Sequence, residues 1–203
     1  ELLKRALLYT KPFGGKIICY CEDATVADNG MVNEGKVAAT LGMKVRPALA
    51  EELAITRDLY ITEYTDCPIH ITGVSAKRSV EIIKEAKNKG INVTCDTNIA
   101  NLYFTDEATM SFDTNYKLLP PLRTEEDRKA LITGIQDGTI DAVSSGHSPK
   151  DIETKFCEFD NADFGGISLE ATFGALNKVS ERILTEEQII NLLANRPAKI
   201  LGL

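Results

Sequence analysis

The sequence has no apolar run near the roughly 20 residues that a membrane-spanning helix needs. It also has no excess of basic residues: Lys and Arg number 23 against 30 Asp and Glu, a formal net charge of −7. The first lack argues against a spanning helix, and the second disfavours nucleic acid and anionic membrane surfaces as partners. A disulfide framework is missing too. The five cysteines, Cys19, Cys21, Cys67, Cys95 and Cys157, are odd in number and scattered, the usage of a reducing cytoplasm. Nothing reads as a signal peptide, because Glu1-Leu2-Leu3-Lys4-Arg5 opens an amphipathic helical pattern. The chain does not begin with Met, which suggests a piece or a processed product. No short repeat, low-complexity tract or linker interrupts it. What is present is an ordinary soluble composition, 43% hydrophobic and 26% charged, over 203 residues, enough for one domain spanning 1–203.

Strand-like apolar runs alternate with amphipathic helices. Strands are expected near 16–21, 67–72, 91–96 and 140–145. Pro47–Thr65 reads as a helix with Leu49, Leu53, Ile55, Leu59 and Ile61 on one apolar side. Ser75 is placed as the N-cap of a helix lined by Val80, Ile82, Ile83 and Ala86, which Gly90 ends. Thr124–Gln136 starts with Thr124 and Glu126-Asp127, where negative charge suits the helix dipole. Leu169–Val179 and Thr185–Asn195 are late helices. Four strands separated by helices predict βα units and a parallel sheet. The longest irregular stretch, from about Pro149 to Gly166, follows a strand end, where α/β proteins place sites or lids.

Three strand ends carry recognisable motifs: Ile18-Cys19-Tyr20-Cys21-Glu22-Asp23, His70-Ile71-Thr72-Gly73-Val74-Ser75 and Ser145-Gly146-His147-Ser148-Pro149-Lys150. In that order they resemble the HCED, HxxHVS and DHAPH motifs of dihydroorotases, members of the amidohydrolase superfamily. Met31–Lys36 resembles the family's MNEG stretch, and Tyr116–Arg123 resembles its YKVNPPLR. Glu158–Asp160 with Phe164–Glu170 resembles EFxxxxFGxxGLE, and Asn195–Leu203 resembles NPAxILGL. Each piece alone is weak; the shared order and spacing are specific. The resemblance implies an α/β (β/α)₈ TIM barrel, of which this chain is the second half, with four parallel strands, flanking helices and the site at the strands' carboxyl ends. A half barrel has two raw edges, so the chain is expected to oligomerise or to sit beside a separately supplied first half.

The same resemblance locates the departures. Active members bind zinc, and the metal-binding positions read Tyr20 and Gly73 here. Gly146 stands at the aspartate that serves as general acid/base. Leu119 replaces an asparagine and Lys150 a histidine, both of which contact substrate in the family. A neutral phenol is a weak donor and glycine has no side chain to offer. No cofactor is therefore expected. A tyrosinate ligand at Tyr20 is the competing reading. His70 reads as a buried structural histidine, and His147 as one packed behind the site. Cys19 and Cys21 can be read as a CxC metal pair, but on a strand they share the face opposite Tyr20 and suit core packing better. Asp23 and Asp96, with His147, are the residues from which a rebuilt metal site is imaginable; helix capping or loop binding is the plainer role.

Two functions follow. The first is a non-catalytic dihydroorotase homologue of pyrimidine biosynthesis that acts as a structural partner of aspartate transcarbamoylase. The second is a zinc-dependent cyclic amidohydrolase whose ligands come from the absent first half.

Overall fold

The computed structural model describes residues 1–181 and 183–203. After α1 (Leu2–Thr10), β1 (Ile17–Tyr20) leads through α2 (Ala24–Ala27), β2 (Val32–Asn33), α3 (Lys36–Leu41) and β3 (Val45–Arg46) to the long α4 (Ala48–Thr65). Two βα units follow: β4 (Ile69–Thr72) with α5 (Lys77–Asn88), and β5 (Val93–Asn98) with α6 (Ile99–Tyr103). Then come α7 (Glu125–Gln136), β6 (Ala142–Ser144), α8 (Ile152–Lys155), α9 (Thr172–Val179), α10 (Glu186–Ile190), a π turn at Asn191–Asn195 and α11 (Arg196–Leu201).

The main sheet runs β1-β4-β5-β6 and is parallel throughout. Tyr20 pairs with Thr72, His70 with Thr94, and Asn98 with Ser144. The four expected strands are thus present in the expected order. The β5 strand begins two residues late. Gly90, at φ +82°, turns the chain out of α5, and Ile91 N–H still bonds Ala86 O, so the chain reaches the sheet only at Val93. A short parallel pair, β2 with β3, lies outside the main sheet and carries no apolar run long enough to announce it.

Side-chain alternation sorts the sheet's faces. Cys19, Ile69, Ile71, Val93, Cys95 and Val143 point into one core with Leu7, Ile55, Leu59, Ile83, Leu131 and Ile140. Burying each Ile- or Leu-sized side chain stabilises the fold by about 1.5–3 kcal/mol. The opposite face carries Ile18, Tyr20, His70, Thr72, Asp96 and Ser144. With Leu169, Phe173, Leu193 and Ile200 part of it borders a trough of about 540 Å³.

The buried side of α4 is not the one its leucines suggest. Leu49 and Leu53 are exposed, whereas Ala50, Glu51, Ala54, Ile55, Asp58, Leu59 and Thr62 are buried. Polar residues hold that face because they have partners. Glu51 accepts bonds from the Ser75 and Ala76 N–H groups (2.9 and 3.1 Å) and from the Ser75 hydroxyl. Ser75 is therefore a buried bridge, and Ala76 is the N-cap of α5. Arg123 completes the cluster, donating to Ser75 Oγ (3.0 Å), Asn33 Oδ1 (2.8 Å) and Arg46 O (2.9 Å). By contrast Thr124 caps α7 as expected, in a capping box with Asp127.

Candidate functional site

The carboxyl ends of β1, β4, β5 and β6 bring the marked positions to one rim. Tyr20 ends β1 on the polar face and is half exposed. Burial, then the nearby Glu22 and Glu51 carboxylates, push its phenol well above the usual tyrosine value. That shift favours the protonated phenol in the metal-free site. The Tyr20 ring also leans over Gly73. A Cβ at Gly73 would lie 3.6 and 3.7 Å from two ring carbons and 3.3 Å from Pro120 Cδ, on a backbone already at φ +73°.

Gly146 is more confined. Its φ is +61°, and a Cβ there would meet Asn98 Cγ at 2.8 Å. Asn98 comes from the end of β5, two residues beyond Asp96 on the same face, and fills the space where the family's aspartate would project. The two glycine positions therefore lack donors, and at Gly146 Asn98 also occupies the space a side chain would need.

Asp96 is the hub of this rim. Its Oδ2 lies 2.9 Å from His70 Nε2, and its Oδ1 accepts from Gly73 N–H (3.1 Å) and sits 2.9 Å from Ser144 Oγ. Burial alone would raise this carboxyl, but hydrogen bonds from His70, Gly73, Thr72 and Ser144 outweigh it and hold the group below the usual carboxylate range. His70 is buried and fully used, with Nδ1 2.8 Å from Thr94 Oγ1. Ser144 Oγ is also 2.7 Å from Asn98 Oδ1. One hydroxyl has one proton, so an Asn98 amide turned to donate satisfies all three groups.

The other candidates are dispersed. Asp23 caps α2, accepting from Thr25 N–H (2.9 Å) and Val26 N–H (3.2 Å). His147 is not packed behind the site. The left-handed turn at Gly146 carries it outward, where it is exposed and its Nδ1 faces the N–H groups of Ser168 (3.2 Å) and Leu169 (3.3 Å). Cys19 and Cys21 are buried, with Cys21 Sγ 3.4 Å from Asp58 Oδ2. Among the described residues no three His, Cys, Asp or Glu side chains converge as a metal site. The donor chemistry at Tyr20, Gly73 and Gly146 does not fit a zinc ion. Leu119 and Lys150 border a cavity of about 1090 Å³ that reaches Gly146 and Asn98 at the rim and is walled by Tyr103, Phe104, Tyr116 and Phe164.

Asn98, Ser144 and Thr94 were not singled out by sequence. Their one signal is the period-two spacing of Thr94, Asp96 and Asn98 along β5, which places all three on the polar face. Among the described residues no helix is long and apolar enough to cross a membrane.

The motifs and the fold have counterparts among known proteins. A family model described as dihydro-orotase-like matches residues 10–79. A dihydroorotase of Geotalea daltonii is 43% identical over 204 residues, covering 100% of this chain and 48% of that protein. One of Caldanaerobacter subterraneus is 39% identical, covering 100% of this chain and 47% of that protein. The chain thus spans about half the length of the curated relatives it matches. Among solved structures, an L-hydantoinase (dihydropyrimidinase) from Arthrobacter aurescens superposes with a TM-score of 0.87 at 24% identity, over 98% of this chain and 46% of that one. A dihydropyrimidinase from Brevibacillus agri gives a TM-score of 0.85, also at 24% identity and over the same shares. The fold is therefore part of the amidohydrolase barrel, and by sequence the chain belongs to the dihydroorotase-like family.

Proposed function

We propose that the chain is part of a dihydroorotase homologue of pyrimidine biosynthesis that has lost metal-dependent hydrolysis and works by association, as a structural partner of aspartate transcarbamoylase. One observation carries this reading: the family's metal and acid/base positions hold Tyr20, Gly73 and Gly146, with the Tyr20 ring and Asn98 packed against the two glycines. Hydrolysis of a cyclic amide needs an activated water and a positioned proton carrier. Tyr20 and Gly73 fail the metal half of that requirement, and Gly146 fails the proton-carrier half. The substrate contacts are changed as well, at Leu119 and Lys150. The core beneath the site is maintained, with 24 buried apolar residues in one cluster. Loss of donors without loss of packing supports a protein kept for its surface.

A second reading is favoured by the open cavity of about 1090 Å³ beside Leu119 and Lys150. In that reading the protein is a zinc-dependent cyclic amidohydrolase, its ligands drawn from the part of the relatives' length that this chain does not span. Elemental analysis of the intact protein after dialysis separates the two: stoichiometric zinc supports the second and overturns the first. Partnership is tested by light scattering with and without the organism's aspartate transcarbamoylase. A joint species at micromolar concentration supports it; separate species, with a transcarbamoylase that assembles and works alone, defeat it.

A further inference from the structure

We infer that the strand ends β4, β5 and β6 are held together by a metal-independent polar tie centred on Asp96, which takes over the cross-strand bridging that a metal centre provides. The inference rests on the reading that the metal is lost, and it adds what replaces it.

The argument starts from what a metal does mechanically: ligands from separate strands are fixed to one another through a central charge. Here the central charge is a carboxylate. Asp96 is 6% exposed and belongs to β5. It reaches β4 twice, through His70 Nε2 (2.9 Å) and through the Gly73 N–H (3.1 Å), and it reaches β6 through Ser144 Oγ (2.9 Å). The contacts extend outward from there. His70 Nδ1 meets Thr94 Oγ1 at 2.8 Å, and Ser144 Oγ meets Asn98 Oδ1 at 2.7 Å. Backbone bonds also cross here, from Val74 N–H to Asp96 O (2.9 Å) and from Asp141 N–H to Cys95 O (2.9 Å). The side-chain contacts add to them at the point where the regular β4–β5 register ends, at Ile71 with Cys95, and the β5–β6 register begins, at Asp96 with Ala142. A buried carboxylate is costly unless its lone pairs are used, and all its partners lie on neighbouring strands. Gly73 is part of the device. At φ +73° its N–H points back at Asp96, a conformation that a side chain at this position would strain.

The test uses the intact protein and reads hydrogen exchange at the Gly73 amide together with metal content. In the wild type, no stoichiometric metal is expected after dialysis, and EDTA leaves both melting temperature and Gly73 protection unchanged. Asp96→Ala removes the acceptor and is expected to speed Gly73 exchange by about tenfold or more. Asp96→Asn keeps Oδ1 as acceptor for Gly73 and Ser144, while its amide nitrogen faces His70; it is expected to retain most of the protection. If Asp96→Ala does not fold, Ser144→Ala carries the test through a drop in melting temperature of about 2–4 °C, again insensitive to EDTA. Stoichiometric zinc in the wild type sinks both the inference and the loss-of-metal reading. A metal-free protein in which Asp96→Ala leaves Gly73 protected, or Ser144→Ala leaves the melting temperature unchanged, sinks the inference alone.

Discussion

Returning an aspartate to position 146 is expected to destabilise the protein without restoring chemistry. Gly146 sits at φ +61°, a left-handed conformation that costs an ordinary L-residue about 1–2 kcal/mol, with Asp at the mild end. The new Cβ would lie 2.8 Å from Asn98 Cγ, 3.0 Å from Nδ2 and 3.1 Å from Cβ, so its two nearest contacts are with the Asn98 amide group. Overpacking of this kind costs about 1–3 kcal/mol. Together Gly146→Asp is expected to lose about 2–4 kcal/mol, read as a lowered urea midpoint with unchanged slope. The double variant Asn98→Ala/Gly146→Asp removes the obstacle and should recover about 1 kcal/mol or more relative to additivity. Adding Tyr20→His and Gly73→His is expected to give no dihydroorotate hydrolysis, because Leu119 and Lys150 remain. The reasoning is refuted if Gly146→Asp unfolds within about 0.5 kcal/mol of wild type. It is equally refuted if the Asn98 and Gly146 changes prove strictly additive, or if any single revertant hydrolyses dihydroorotate.

Arg123→Ala should cost about 3–5 kcal/mol, because it strands Glu51 and Asn33 in a buried cluster; a loss under about 1 kcal/mol in denaturant titration would contradict the cluster's role. Burial pushes the Cys19 thiol up to about 11 and the Cys95 thiol up to about 12, so Cys157, the half-buried one, should be labelled first by a thiol reagent at pH 8. Peptide mapping that finds Cys19 or Cys95 modified as fast would overturn this. The Asp96 carboxyl is held below its usual range, so the stability it contributes is full above about pH 4 and is lost as pH falls further through its folded value. Urea midpoints should drop more steeply below pH 4 in the wild type than in Asp96→Asn; identical acid profiles would argue against it.

The order of the elements was legible in the sequence because it depends on local periodicity. Apolar residues at strand spacing mark β1, β4, β5 and β6, and Thr124 with Asp127 announces the start of α7 by its capping chemistry. The motif residues at the strand ends suffice to put Tyr20, Gly73 and Gly146 on one rim. Tertiary structure decided what surrounds them. Which face of α4 is buried depends on partners for Glu51 and Asp58, and those come from Ser75, Ala76 and Cys21, 24, 25 and 37 residues away in sequence. His147 swings outward because of a single left-handed turn, which a lone glycine code does not reveal. The filling of the vacated space by Asn98, and the tie through Asp96, rest on contacts between strands separated by 23 to 48 residues. Local sequence sets propensity and pattern; only the packed sheet determines which polar groups meet, because each bond needs two strands in register at once.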